Sequence, residues 1–97
     1  MAEIEPLHTQ VLKTIQLKVG MVILEDPDGF PRNESNLYYL GKKGEMIWQA
    51  EKPEPEGLYS RVMLNADGHT ISAYAVTGQA CEIDLLSGKL ISQAKLM

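Results

Sequence analysis

Few residues able to do chemistry stand at spacings that predict a site. The two histidines, His8 and His69, lie far apart in the chain, so they do not suggest a metal centre. The one cysteine, Cys81, can form neither an intramolecular disulfide nor a cysteine-based zinc site, because each needs more than one sulfur. It occupies an apolar position of an alternating run, which is typical of a buried and unreactive thiol.

Sequence motifs for catalysis and phosphate binding are absent. The sequence contains no G-x-S-x-G elbow, no phosphate-binding glycine loop and no H-E-x-x-H pair. Asp26, Asp28 and Gly29 are weakly similar to a calcium loop, but the Glu required at its twelfth position is missing and Pro27 disturbs the spacing. We therefore predict no catalytic residue, no metal and no cofactor.

The segment 26–36 is the most informative stretch of the sequence. It is far longer than a hairpin requires, whereas its counterpart in the second half is only Thr77-Gly78. One interpretation is a recognition loop, with Phe30 as an anchor and Arg32 as a contact for an anion or a carboxylate. The other is a mobile, solvated insertion. The loop's candidate interaction residues are Asp26, Asp28, Phe30, Arg32 and Asn33.

Three tyrosines, Tyr38, Tyr59 and Tyr74, are candidates of a second kind. They fall on predicted strands, where aromatic side chains usually fill a core or pair across strands. Tyrosine is also enriched at contact surfaces, so an exposed cluster of the three would mark a protein interface.

The elements that would position these residues are strands. Alternating or β-branched runs are separated by turns that contain Gly, and glycine supplies the positive φ that tight hairpins need. Neighbouring runs should therefore pair antiparallel. The predicted strands are residues 11–17, 21–25, 36–40, 45–50, 58–64, 70–76, 79–85 and 89–96.

The two halves of the chain are related by a weak repeat. A shift of 44 residues places Gly44 on Gly88, and Gly, Ile, Gln and Ala then coincide between residues 44–51 and 88–95. The sequence predicts one all-β domain of two antiparallel four-stranded meanders, 9–51 and 58–97, packed as a sandwich or a partly open barrel. The Pro- and Glu-rich segment 52–57 is the predicted linker, and residues 1–8 are expected to be a frayed end or one turn of helix.

A motif found in both halves of the chain resembles the blade repeat of quinoprotein-type β-propellers. It lies at residues 36–40 with 43–48 and again at residues 83–91. That blade combines a short strand, an Asp-containing turn ending in Gly-Lys and a strand closing on Trp. Leu40 to Lys43 depart from the Asp-led turn, and Ser92 stands where the second tryptophan would be. The resemblance implies strand topology alone, and no quinone-binding or metal-binding residue is carried over. Since propellers close with about four to eight blades, two units must either pack on each other or assemble between chains.

The charge of the chain limits the classes of partner that it is expected to bind. The formal net charge is −4 and the nine basic residues are scattered, so we expect no nucleic-acid or membrane-surface binding. The N-terminal residues lack the pattern of a signal peptide, which predicts a cytoplasmic location. The sequence favours a non-catalytic protein-interaction or assembly module that self-associates or binds a protein partner. The alternative is a ligand-binding or enzymatic domain with its site between the sheets, around Glu82, Asp84 or His69.

Overall fold

The computed structural model describes residues 5–96, and these form eight strands. All eight predicted strands are present, with ends that differ from the prediction by at most one residue. The strands are β1 (Val11–Gln16), β2 (Gly20–Glu25), β3 (Leu37–Gly41), β4 (Met46–Gln49), β5 (Tyr59–Leu64), β6 (Thr70–Ala75), β7 (Gln79–Asp84) and β8 (Leu90–Lys95).

The strands form two separate antiparallel sheets of four, ordered β1-β2-β3-β4 and β5-β6-β7-β8. The turn glycines Gly44, Gly68, Gly78 and Gly88 have positive φ, as the hairpins between the strands require. The sheets do not close into a barrel, and the shortest dimension of the fold, 17 Å, fits two layers. The predicted all-β fold of two four-stranded meanders is confirmed, in its sandwich form.

One apolar core lies between the sheets. Alternation along each strand places Val22, Tyr39 and Trp48 of the first sheet in the same cluster as Ile71 and Ile83 of the second. Strand β7 follows the predicted pattern, since Cys81 and Ile83 are buried while Glu82 and Asp84 are only partly so. The space between the sheets is therefore filled by apolar side chains.

The sequence of β4 is apolar on both faces, with Met46 and Trp48 on one side and Ile47 on the other, which predicts a strand covered on both sides. The structure differs from this prediction. Trp48 is buried, but Met46 and Ile47 are exposed. The pairing of β3 with β4 shifts register between Tyr39 and Leu40, and β4 is an edge strand with one neighbour. An edge position with a bulge leaves Ile47 without a covering layer.

A second buried group lies on the other face of the first sheet. Ile23 and Tyr38 are paired across β2 and β3 and are fully buried, although neither belongs to the core between the sheets. Phe30 from the segment 26–36 is also buried and meets the His8 ring edge-on at 4.9 Å. The chain before β1 and the segment 26–36 therefore cover this face together.

Glu25 binds the chain that precedes β1. Its buried carboxylate accepts backbone N–H bonds from Leu7 (2.6 Å), His8 (3.1 Å) and Thr9 (2.9 Å), and the Tyr38 hydroxyl also donates to it. Leu7 and His8, which were expected to belong to a frayed end or a helical turn, are instead bound through their amides to this carboxylate. Residues 1–4 lie outside the described part of the chain.

Asn36 and Trp48 are among the side chains that connect the sheets. Asn36 donates through Nδ2 to the carbonyls of Glu25 (2.6 Å) and Tyr59 (2.7 Å), and its Oδ1 accepts the Tyr59 N–H at 2.8 Å. Trp48 donates through Nε1 to the Leu85 carbonyl at 2.9 Å. Both contacts join the first sheet to the second by hydrogen bonds in addition to the apolar core.

Candidate interaction surfaces

The segment 26–36 is packed at its ends and exposed at its tip. Asp26 Oδ1 accepts the Asp28 N–H at 2.9 Å, which is the Asp turn that competes with the calcium interpretation. Ser35 and Asn36 are buried, while Asp28, Arg32 and Asn33 are exposed. In the part of the chain that the structure describes, no three Asp, Glu, His or Cys side chains converge as metal ligands would.

Phe30 is not an exposed anchor, which corrects that part of the recognition-loop prediction. Its ring lies in the buried group beneath His8, where burial of an aromatic ring is more favourable than exposure to water. Arg32 is exposed and forms an ion pair with Glu56 of the linker. An exposed ion pair of this kind contributes little to stability, so Arg32 is available to another carboxylate.

The three tyrosines do not form an exposed cluster. Tyr38 and Tyr59 are buried, and their hydroxyls donate to Glu25 and to the Glu51 carbonyl. Burial raises the pKa of both phenols above the ordinary value, and the neighbouring Glu25 adds to this effect at Tyr38. Only Tyr74, on the outer face of the second sheet, is exposed. Tyr38 and Tyr59 are therefore structural residues and not contact residues.

Cys81 and His69 are placed as their sequence context predicts. Cys81 is buried in the core, and burial raises the pKa of its thiol. His69 is exposed in the turn after β5, and its backbone N–H donates to Asp67 Oδ1 at 2.8 Å. Glu82 lies on the opposite face of β7 from the core, so it does not enter the space between the sheets.

An exposed apolar surface lies where turns from both sheets meet. Val19, Ile47 and Leu86 are 63%, 46% and 87% exposed and surround an open depression of about 560 Å³, with Tyr39 at its base. Val19 and Leu86 occupy hairpin turns, positions where polar residues are usual. We call Val19, Ile47 and Leu86 with this depression the turn-end surface.

A second depression, of about 430 Å³, lies between the segment 26–36, the linker and the turn after β6. Exposed Val76 and partly buried Pro27 supply its apolar area, while Asp28, Glu54 and Glu56 supply carboxylates. Two of the predicted interaction residues, Asp28 and Arg32, line this depression. We call it the loop-end surface.

The sheet edges differ in how they are protected. Lys13 of β1 donates through Nζ to the Val62 carbonyl of β5 at 2.9 Å, which occupies a backbone acceptor at that edge. Strand β8 is exposed along almost its whole length. At its start the Leu90 N–H donates to Glu51 Oε1 at 2.8 Å.

Sequence reasoning did not identify Val19, Ile47 and Leu86 as candidates. Val19 and Leu86 could have been identified from the sequence, because each is an apolar residue directly beside a predicted glycine turn. Ile47 was assigned to a strand buried on both faces, and its exposure depends on the bulge between β3 and β4. The nearness of the three residues depends on how the two sheets pack, which strand patterns do not specify.

Comparisons of the chain with family models, with curated proteins and with solved structures found no match. In residues 5–96, no helix is long and apolar enough to cross a membrane. The surfaces themselves are therefore the basis for a functional proposal.

Proposed function

We propose that this protein is a non-catalytic assembly module that associates with further copies of itself through the turn-end surface. The observation that carries this proposal is the exposure of Val19, Ile47 and Leu86 around one depression. Single exposed apolar residues are ordinary, but neighbouring ones that surround a depression are typical of protein contact sites.

The local structure supports this proposal. Leu86 and Val19 lie in short turns between paired strands, so their positions are largely fixed before a partner binds. Tyr39 at the base of the depression is held by an edge-on contact with Trp48, at 5.5 Å between ring centroids. A fixed apolar surface loses little conformational entropy on binding, which favours association.

Light scattering over a concentration series tests the proposal. The native protein should increase in molar mass with concentration, and the double variant Val19→Ser with Leu86→Ser should remain closer to the monomer mass. Since both side chains are exposed, the free energy of unfolding of the variant should stay within about 0.5 kcal/mol of that of the native protein.

Met63→Ser is the matched control. Met63 is 51% exposed on the outer face of the second sheet, away from the turn-end surface. This variant should associate as the native protein does. A native protein that stays monomeric at millimolar concentration would disprove self-association, and equal effects of the two variants would disprove the role of the turn-end surface.

A further inference from the structure

We infer that the turn-end surface of one molecule docks on the loop-end surface of a second copy, in a head-to-tail arrangement. This inference rests on the proposed self-association and specifies its geometry. It names one occupant for each surface, and a chain of such contacts would use two different patches on every molecule.

Charge distinguishes the two surfaces. The four turns at residues 17–20, 41–45, 65–69 and 84–89 contain four lysines and three carboxylates, a net charge of +1. Two of these carboxylates, Asp67 and Asp84, accept backbone N–H bonds from His69 and Ser87 within their own turns. Three of the four lysines, Lys18, Lys42 and Lys43, lie in turns of the first sheet, while Asp84 of the second sheet lines the depression itself. The turns that bear the turn-end surface therefore carry a small net positive charge.

The opposite sign is found at the loop-end surface. Residues 26–36, 52–57 and 76–78 contain five carboxylates and two basic residues, a net charge of −3. Both cations already have partners, since Lys52 Nζ donates to the Pro55 carbonyl at 2.7 Å and also to the Arg32 carbonyl, and Arg32 forms an exposed ion pair with Glu56. Asp28 and Glu56 are exposed beside the apolar Val76 and Pro27.

Each surface thus combines apolar area with a charged rim, and the rims are of opposite sign. Contact between the two surfaces would bury Val19 and Leu86 against Val76 and Pro27 while lysines meet carboxylates. Contact between two turn-end surfaces would instead bring two regions of net positive charge together. Like charges across an interface are unfavourable, so head-to-tail docking is the arrangement that the charges favour.

Charge reversal on each surface tests the arrangement. The first variant combines Lys18→Glu with Lys43→Glu, and the second combines Asp28→Lys with Glu56→Lys. In each variant both surfaces have the same sign of net charge, so two copies of that variant repel each other at the proposed contact. The dissociation constant of each variant alone should be at least about tenfold higher than that of the native protein. An equimolar mixture brings opposite rims together again and should recover association close to the native level.

The outcomes separate this inference from the proposed function. Recovery in the mixture, together with weaker native association in high salt, would support head-to-tail docking. If Val19→Ser with Leu86→Ser abolishes association but reversal at Asp28 and Glu56 does not, the turn-end surface binds itself and the inference is overturned. Association that no turn-end or loop-end variant changes would indicate pairing through another element, such as the β8 edge, and would overturn both.

Discussion

The indole of Trp48 lies directly on the backbone of Gly88, with no space for a side chain between them. A Cβ atom built on Gly88 would be 2.6 Å from Trp48 Cδ2, and Gly88 has φ +74. The same tryptophan donates its Nε1 hydrogen to the Leu85 carbonyl of that turn. Strand β4 of the first sheet is thereby fixed to the β7–β8 turn of the second.

Replacing Gly88 by alanine should therefore destabilise the fold in two ways. The positive φ costs about 1 kcal/mol for a residue with a Cβ atom, and displacing the indole adds about 2 kcal/mol. We expect the free energy of unfolding, measured with urea, to fall by about 3 kcal/mol.

Gly44→Ala is the matched control, because the repeat places Gly44 at the position of Gly88. Gly44 has φ +82, but no atom lies within 4 Å of the Cβ position. Only the backbone cost of about 1 kcal/mol should then be lost. Equal losses in the two variants would show that close packing on Trp48 does not contribute to stability.

The repeat itself could be read from the sequence, and so could most of the fold. Glycine turns at regular spacing and alternating runs determine which segments are strands and which neighbours pair. The contact of Trp48 with Gly88 was not predictable, since it joins residues from different sheets. Strand patterns determine pairing within a sheet, whereas the packing of one sheet on another depends on side-chain shapes.

Asn36 should be among the polar residues on which stability depends most. Its side chain makes hydrogen bonds to the carbonyls of Glu25 and Tyr59 and to the Tyr59 N–H, all of them in buried surroundings. Asn36→Ala leaves these backbone groups without partners, and we expect a loss of about 3 kcal/mol in urea unfolding. Asn33→Ala changes an exposed asparagine of the same segment and should cost less than about 0.5 kcal/mol. A loss at Asn36 as small as that at Asn33 would contradict this role.

The candidate site was predicted less completely than the fold, and the segment 26–36 shows why. Its length and its exposed Asp28, Arg32 and Asn33 agree with a contact surface. Phe30 was interpreted as the anchor of a possible recognition loop because it lies in a segment longer than a hairpin requires. Its burial depends on the chain before β1, which Glu25 binds through backbone N–H groups that any sequence possesses. Such a contact leaves no side-chain pattern at residues 7–9.

Cys81 should be unreactive in the native protein. Burial keeps the pKa of its thiol above the ordinary value, so the thiolate that attacks disulfide reagents is scarce and inaccessible. Labelling by Ellman's reagent at mildly alkaline pH should be at least about a hundredfold slower in buffer than in denaturing urea, where the thiol is exposed. Rapid, stoichiometric labelling of the native protein would contradict the burial of Cys81.

Glu25 should make stability depend on pH in the acid range. Burial alone would raise the pKa of its carboxyl, but hydrogen bonds from Tyr38 and from the backbone of residues 7–9 outweigh burial and lower it. The folded protein therefore binds this proton less tightly than the unfolded chain, whose Glu pKa is about 4.3. The stabilisation should be complete above that value and should be lost as the pH falls through the lower pKa of the folded state.

Glu25→Gln isolates this contribution, since glutamine has no titrating group and the remaining carboxylates are common to both proteins. At neutral pH the variant should be less stable than the native protein by about 2 kcal/mol, because an amide is a weaker acceptor for four donors and brings N–H groups of its own. The difference between their urea midpoints should shrink steadily as the pH falls from 7 to 3. A difference that stays constant or widens in acid would show that the Glu25 carboxylate is not what stabilises the chain before β1.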